Sequence, residues 1–278
     1  MNRTPGWNLD GRLYLVLGVA NRRSVAYHVG NRLEQLGARC VYGVHTHERL
    51  EGVRKLLPDA EIHVCDVTDD QQIENLYRAL AEREYRFDGM LHSIAYADYR
   101  SASGAFHQTD RQAFFHAMDV SCFSLIRLSD ALRPLFKPDA SVVTISISTT
   151  RMAAQNYGYM APIKAALDSS LAFLTQSFSR FSEVRFNAVG AGLLKTSSSA
   201  GIPGYVDAYL YAEQVIPRRR ALQTEEVANV AVFLLSPWSS GIAAQTIVVD
   251  AGLSINFFDP AIIQRVLALE PSQGQDAS

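Results

Sequence analysis

The sequence predicts an α/β fold: a single Rossmann-like, doubly wound parallel sheet of about seven strands with helices on both faces. Three observations carry it. A short unbroken apolar run, Leu13 to Leu17, has the continuous hydrophobicity that a strand covered on both faces requires. Longer stretches between strand patterns repeat their apolar residues at helical spacing, so strand and helix alternate and right-handed crossovers follow. After the first strand comes a glycine-led turn, Gly18 to Ser24, and then a helix, which lets backbone amides and a helix N-terminus face a pyrophosphate.

The elements follow in order. The Leu13 to Leu17 strand leads through Gly18 into a helix marked by Val25, Ala26, Val29, Leu33 and Leu36 and closed by Gly37. Ser24 is placed to cap that helix or to donate to phosphate. A strand at Cys40 to Val44, a helix over about His47 to Leu57 and a strand at Ile62 to Cys65 come next, the last ending in Asp66, Val67, Thr68 and Asp69. Helix Gln71 to Arg83, strand Gly89 to Ile94 and one long helical region from about Asp110 to Phe136 continue the alternation. Strand Val142 to Ile147, a long buried helix carrying Lys164, strand Val184 to Val189, helix Thr224 to Leu235 and strand Ile247 to Asp250 complete it. Ligands of such sheets bind outside the carboxyl ends of the strands, where Gly18, Asp66, Ser93, Ser146 and Gly192 all fall.

Composition narrows the function. A chain of 278 residues, nearly half of them apolar, can bury a large core, and no linker divides it. Residues 1–258 are expected to form one nucleotide-binding domain, and 259–278 a C-terminal extension, a short helix and then a disordered tail. A net charge of −2 gives no support for nucleic-acid binding. Cys40, Cys65 and Cys122 lie apart in apolar contexts, which fits reduced buried thiols of a cytoplasmic protein and no metal site. The first apolar run is too short to span a bilayer.

Tyr157 and Lys164 are the candidate reactive pair. On a regular helix they would share one face within about 20°, roughly 10 Å apart along the axis, so a phenol and an ammonium address different parts of one ligand. Pro162 between them marks a helix start or a kink.

With these motifs in place, the chain resembles the divergent short-chain dehydrogenase/reductases that act as enoyl-acyl carrier protein reductases. The resemblance runs from about Leu9 to Ile255 and is carried by Gly18 to Ala26, Cys65-Asp-Val67, His92 to Ala97, Asn156-Tyr157 with Lys164, Arg185 to Ala188 and Val249 to Gly252. Ordinary members space tyrosine and lysine more closely; here Met160 holds their tyrosine position. The resemblance implies that Gly18, Ala20, Ser24 and Val25 hold the pyrophosphate side and that Asp66 and Val67 flank adenine. Ser93, Ile94 and Ala95 pass near the adenosine ribose, Lys164 bonds the nicotinamide ribose, and Leu194 to Ser198, with Thr196, lie over the nicotinamide. His45 meets the adenosine. No arginine or lysine stands at His45, Thr46 or His47, which favours NADH; a partly charged histidine keeps NADPH open. The implied reaction reduces the α,β double bond of an enoyl thioester, carried by acyl carrier protein, in fatty acid biosynthesis. Tyr157 donates to the carbonyl oxygen, the α-carbon proton comes from water or tyrosine, and the enzyme is a cytoplasmic homotetramer.

Some positions depart from the family. Its members carry an aromatic residue nine or ten positions before the tyrosine, where this chain has Ser148 and Ile147, so a wall or donor near the acyl group is missing. Leu193 replaces a proline in the cofactor loop. A substrate lid is expected within Ser197 to Tyr211, where Ile202, Tyr205, Val206 and Tyr209 line an acyl channel or simply pack. Ala97, Ile147, Ile202, Tyr205 and Tyr157 are the candidate substrate contacts. Arg218 to Arg220 form a solvated or subunit-contact cluster or a dock for an acidic carrier. His92 is expected to be a core histidine, and Asp119 and Ser121 structural. Two alternatives remain: reduction of another conjugated or carbonyl substrate, or a nucleotide-binding homologue with little activity.

Overall fold

Alternation of side-chain direction along the first strand builds two cores. Tyr14 and Val16 face one side and Leu15 and Leu17 the other, and each face is closed by its own helices. A computed structural model describes residues 8–99, 105–151, 153, 157–196, 199–256 and 258–269. Its elements are β1 (Leu13–Leu17), α1 (Val25–Gln35), β2 (Arg39–Val44), α2 (His47–Arg54), β3 (Glu61–Val64), α3 (Asp70–Glu82), β4 (Phe87–His92) and α4 (Arg111–Met118). There follow α5 (Ser124–Leu132), β5 (Phe136–Ile147), α6 (Met160–Phe178), β6 (Arg185–Ala191), α7 (Tyr205–Val215), α8 (Thr224–Leu235), β7 (Thr246–Val249) and α9 (Pro260–Leu269).

The strands form one seven-stranded sheet in the order β3-β2-β1-β4-β5-β6-β7, every pair parallel. The order reverses direction between β1 and β4, where ligand crevices open in such sheets. One core packs Val25, Val29 and Leu33 of α1 and Val227, Ala231 and Leu235 of α8 on Val16, Tyr42 and Val189. The other packs Leu125 and Leu128 of α5 and Ile163 and Leu167 of α6 on Leu15, Val41, Met90 and Val142.

Three expectations change. The long helical region from Asp110 to Phe136 is broken by a wider π turn at Asp119–Phe123, and Phe136 already begins β5. The strand expected to reach Ile94 ends at His92, leaving Ser93 and Ile94 in the connection above the sheet edge. Tyr157 does not lie on the Lys164 helix: Gly158 takes a φ of +55°, which interrupts helical geometry, and α6 begins only at Met160. Pro162 stands in the first turn of α6, where a missing amide hydrogen costs nothing. The short helix expected after residue 258 is α9, while the tail from residue 270, Asn156, Ser197 and Ser198 lie outside the described residues.

Candidate active site

At the carboxyl ends of β1 and β2 the groups that can meet a ligand belong mostly to the backbone. Gly18 has φ +98°, and a Cβ there would stand 2.1 Å from the Ser93 carbonyl oxygen, so the loops after β1 and β4 approach as only glycine permits. The Gly18 amide donates to the Gly43 carbonyl at 3.2 Å and the Ser93 amide to the Leu17 carbonyl at 3.1 Å. Ser24 precedes α1 but does not cap its amides; its hydroxyl donates to the Asn21 carbonyl at 2.6 Å and accepts from the Ala20 amide at 3.4 Å. The hydroxyl thus closes the turn, and Val25 opens the helix whose first amides have no partner within it. Beyond the ends of β2 and β3, His45 Nε2 lies 3.2 Å from Asp66 Oδ2, with the His45 side chain 67% exposed. Burial would raise the Asp66 carboxyl, but hydrogen bonds from Thr68 and His45 outweigh it and hold it below the usual carboxylate range. Val67 is buried, Ile94 packs on the same core, and Ala95 is exposed.

The next groups are side chains set in the core. Lys164 is buried and its Nζ donates to the Ile145 carbonyl at 2.7 Å, leaving two donors for a ligand. Burial pushes its ammonium down to about 8, partly opposed by the Asp168 carboxyl one helical turn on. Asp168 is in turn raised by burial, which outweighs the lowering effect of the Ser146 and Thr246 hydroxyls and of Lys164. Tyr157 packs against the core alongside Ala97, Ile94 and Tyr99. Its phenol is pushed up by burial and then by the neighbouring Tyr205, so it stays protonated and able to donate. The two candidate residues therefore have different neighbours, Lys164 under the end of β5 and Tyr157 among phenols.

His92 is a core histidine, as expected. It is fully buried, within 2.9 Å of Thr144 Oγ1 and 2.8 Å of Ser124 Oγ, and burial and then Lys164 push it down to about 3, so it stays neutral. Ser121 gains its contact from the π turn: its hydroxyl accepts from the Tyr96 amide at 2.9 Å and donates to the Tyr96 carbonyl at 3.2 Å, fixing the chain beside Ala97.

The loop after β6 is held by hydroxyls. Tyr205 Oη accepts from the Leu194 amide at 2.7 Å and donates to its carbonyl at 2.8 Å, and Ser199 Oγ accepts from the Thr196 amide at 3.0 Å. Tyr205 thus fastens the loop with its polar end while its ring stays near Tyr157. Ile147 ends β5, and Ile147 and Ile202 are half-buried. Val206 is 70% exposed and Tyr209 buried, with Lys195 Nζ 4.3 Å from the centre of the Tyr209 ring.

The sequence pattern assigns no role to Asp168 or Tyr99. Helical spacing from Lys164 was a signal for Asp168. Nothing local marks Tyr159, whose hydroxyl accepts from the Asp98 amide at 3.1 Å and donates to its carbonyl at 3.3 Å, bridging 61 residues. Arg218 pairs with Glu226 at 2.6 Å and Arg219 with Asp259 at 2.6 Å, so the arginine cluster serves the fold. No cluster of metal-binding side chains occurs among the described residues.

A family model described as enoyl-(acyl carrier protein) reductase matches residues 18–254. A Nostoc protein named as the NADH-dependent enoyl-acyl-carrier-protein reductase is 35% identical over 254 residues, spanning 89% of this chain and 98% of the relative. A Staphylococcus aureus protein named as the NADPH-dependent enzyme is 32% identical over 250 residues, 88% of this chain and 97% of the relative. The crystal structure of the NADH enzyme of Aquifex aeolicus superposes with a TM-score of 0.86 at 32% identity, covering 91% of this chain and all of that one (100%).

Proposed function

This chain belongs to the enoyl-(acyl carrier protein) reductase family, and from that premise we propose that it reduces the α,β double bond of an enoyl thioester, carried on acyl carrier protein, with NADH in fatty acid biosynthesis. The observation that carries the reading is the protonated Tyr157 phenol in the core beside the segment after β4, with the Lys164 ammonium beneath the end of β5. The cleft fits a dinucleotide: the close Gly18–Ser93 approach, the open first turn of α1 and the two spare Lys164 donors offer amides and positive charge to a diphosphate and a ribose.

When bound, the reduced nicotinamide supplies a hydride to the β-carbon. The chain's own residues do the rest. Gly18, Ala20, Ser24 and Val25 hold the pyrophosphate side, His45, Asp66 and Val67 the adenosine end, and Ser93, Ile94 and Ala95 the ribose that follows. Lys164 bonds the nicotinamide ribose, and Leu194 and Thr196 close over that end. Tyr157 Oη donates to the thioester carbonyl oxygen, where negative charge gathers only as the double bond is reduced, so the bond strengthens in the transition state. Ala97, Ile147, Ile202 and the Tyr205 ring bound the acyl group. His45 stands where an arginine or lysine would suit a 2′-phosphate and already faces Asp66, an arrangement that favours a ribose hydroxyl over a 2′-phosphate.

The functional form is a cytoplasmic homotetramer of one reductase domain, residues 1–258, with 259–278 as an extension. Exposed apolar side chains on α6 and the edge strand β7, Phe173 at 75% and Val248 at 49%, support subunit contacts there. No helix among the described residues is long and apolar enough to cross a membrane. Incubation with NADH carrying deuterium at its transferable position and a trans-2-enoyl thioester tests the reaction. Deuterium at the β-carbon of a saturated product is expected; recovery of unreduced thioester at every chain length and on either carrier would overturn it.

A further inference from the structure

Four phenols converge where the acyl group would lie. The Tyr99 phenol is pushed up by burial and then by its neighbours Tyr157, Tyr159 and Tyr205, and Tyr99, Ala97, Phe114 and Tyr157 pack against one core. Two of the four hydroxyls are spent on the backbone. Tyr159 Oη is bound to both the amide and the carbonyl of Asp98, and Tyr205 Oη to both those of Leu194. Among the described residues no hydrogen bond engages the Tyr99 hydroxyl or that of Tyr157. Tyr99 is also held in place: Tyr159 pins Asp98, and Ser121 pins Tyr96, on either side of Ala97. Ile147, the last residue of β5, and Ser148 after it carry no ring, and the Ser148 amide is tied to the Ala191 carbonyl at 2.8 Å.

We propose that Tyr99 is the second phenol of the acyl site, its ring walling the space beside Tyr157 and its hydroxyl donating to the thioester end of the substrate. It supplies from the segment after β4 the aromatic wall and donor that Ile147 and Ser148 cannot. No proton leaves it; the bond it forms is a neutral hydrogen bond to a bound acyl thioester, and its effect falls on substrate binding. This inference rests on the enoyl-thioester reading.

The test compares wild type, Tyr99→Phe and Tyr99→Leu with a trans-2-enoyl thioester on acyl carrier protein, and follows NADH binding by fluorescence titration and Tm in parallel. Loss of one neutral hydrogen bond predicts that Tyr99→Phe raises KM for the thioester by about 3- to 10-fold. Its kcat, its Kd for NADH and its Tm should stay near those of wild type. Tyr99→Leu, which also removes the ring, should lose about tenfold more in kcat/KM. A Tyr99→Phe variant with an unchanged KM overturns the inference whether or not Tyr99→Leu folds, because the ring alone would then account for the residue. A wild type that turns over no enoyl thioester overturns the enoyl reading and this inference with it; a wild type that turns over while Tyr99→Phe matches it overturns the inference alone.

Discussion

At the β1–β2–β3 end of the cleft a ligand would meet backbone amides, a glycine and the His45–Asp66 contact. At the β4–β6 end it would meet phenols and an ammonium set into the core, of which Tyr159, Tyr205 and Lys164 are oriented by backbone partners elsewhere in the chain. The first end is made by strand ends and one tight approach, Gly18 over Ser93; the second by hydroxyl-to-backbone bonds such as Tyr159 to Asp98 and Tyr205 to Leu194. A backbone site is intolerant of added atoms, whereas a side-chain site degrades one group at a time. Substitutions at the two ends should therefore fail in different ways.

The largest effect on cofactor binding is expected at the backbone end. Gly18→Ala puts a methyl 2.1 Å from the Ser93 carbonyl at a φ of +98°, so the β1 and β4 loops must part. The strain should lower stability by about 1–3 kcal/mol and weaken NADH binding by about 100-fold, read by thermal unfolding and by titration. Unchanged binding would mean that the close approach does not shape the cofactor crevice. Next is His45→Arg, which places a permanent charge where the adenosine ends. It should raise NADPH use relative to NADH by about tenfold in kcat/KM, the size of one charge-assisted bond; no change would remove His45 from the cofactor site.

At the side-chain end, pH separates binding from stability. Burial lowers Lys164 from 10.5 to about 8 in the free protein, so the ammonium that favours the cofactor diphosphate is lost as pH rises through that value. NADH affinity should fall several-fold between about pH 7 and 9, and Lys164→Met should flatten the profile. Free-protein stability should move the other way over this window: the unfolded chain keeps the Lys164 proton that the folded chain releases, so the unfolding free energy rises with pH above about 8. A pH-independent Kd in wild type would contradict the charged role. The smallest effect is Tyr159→Phe, which removes the hydrogen bond that the Tyr159 hydroxyl accepts from the Asp98 amide and should cost about 1 kcal/mol of stability, with a modest rise in thioester KM as the Tyr99 segment loosens. An effect on NADH Kd instead would place that hydroxyl at the wrong end of the cleft.

The same contrast explains what was legible. Gly18, His45, Asp66, Ser93 and Gly192 are legible as one edge because each stands at or just after the end of a strand pattern, and a parallel sheet gathers such positions together. Lys164 was legible from the apolar periodicity of α6. The facing of Tyr157 was not, because the left-handed φ of Gly158 takes it off that helix. The π turn at Asp119–Phe123 was read as continuous helix because its apolar spacing differs little from that of an α-helix. Tyr99, Tyr159 and Tyr205 were beyond a local pattern, since what sets each apart is whether its hydroxyl has a backbone partner elsewhere in the chain.

The most direct measurement of the central claim pairs steady-state NADH consumption on a trans-2-enoyl thioester with NADH binding, for wild type and Tyr157→Phe. Loss of a donor aimed at developing negative charge predicts a fall in kcat of about 10²- to 10³-fold, with the dissociation constant for NADH unchanged. A Tyr157→Phe enzyme that keeps its kcat would contradict the assignment of Tyr157 as the group that stabilises the reduced thioester.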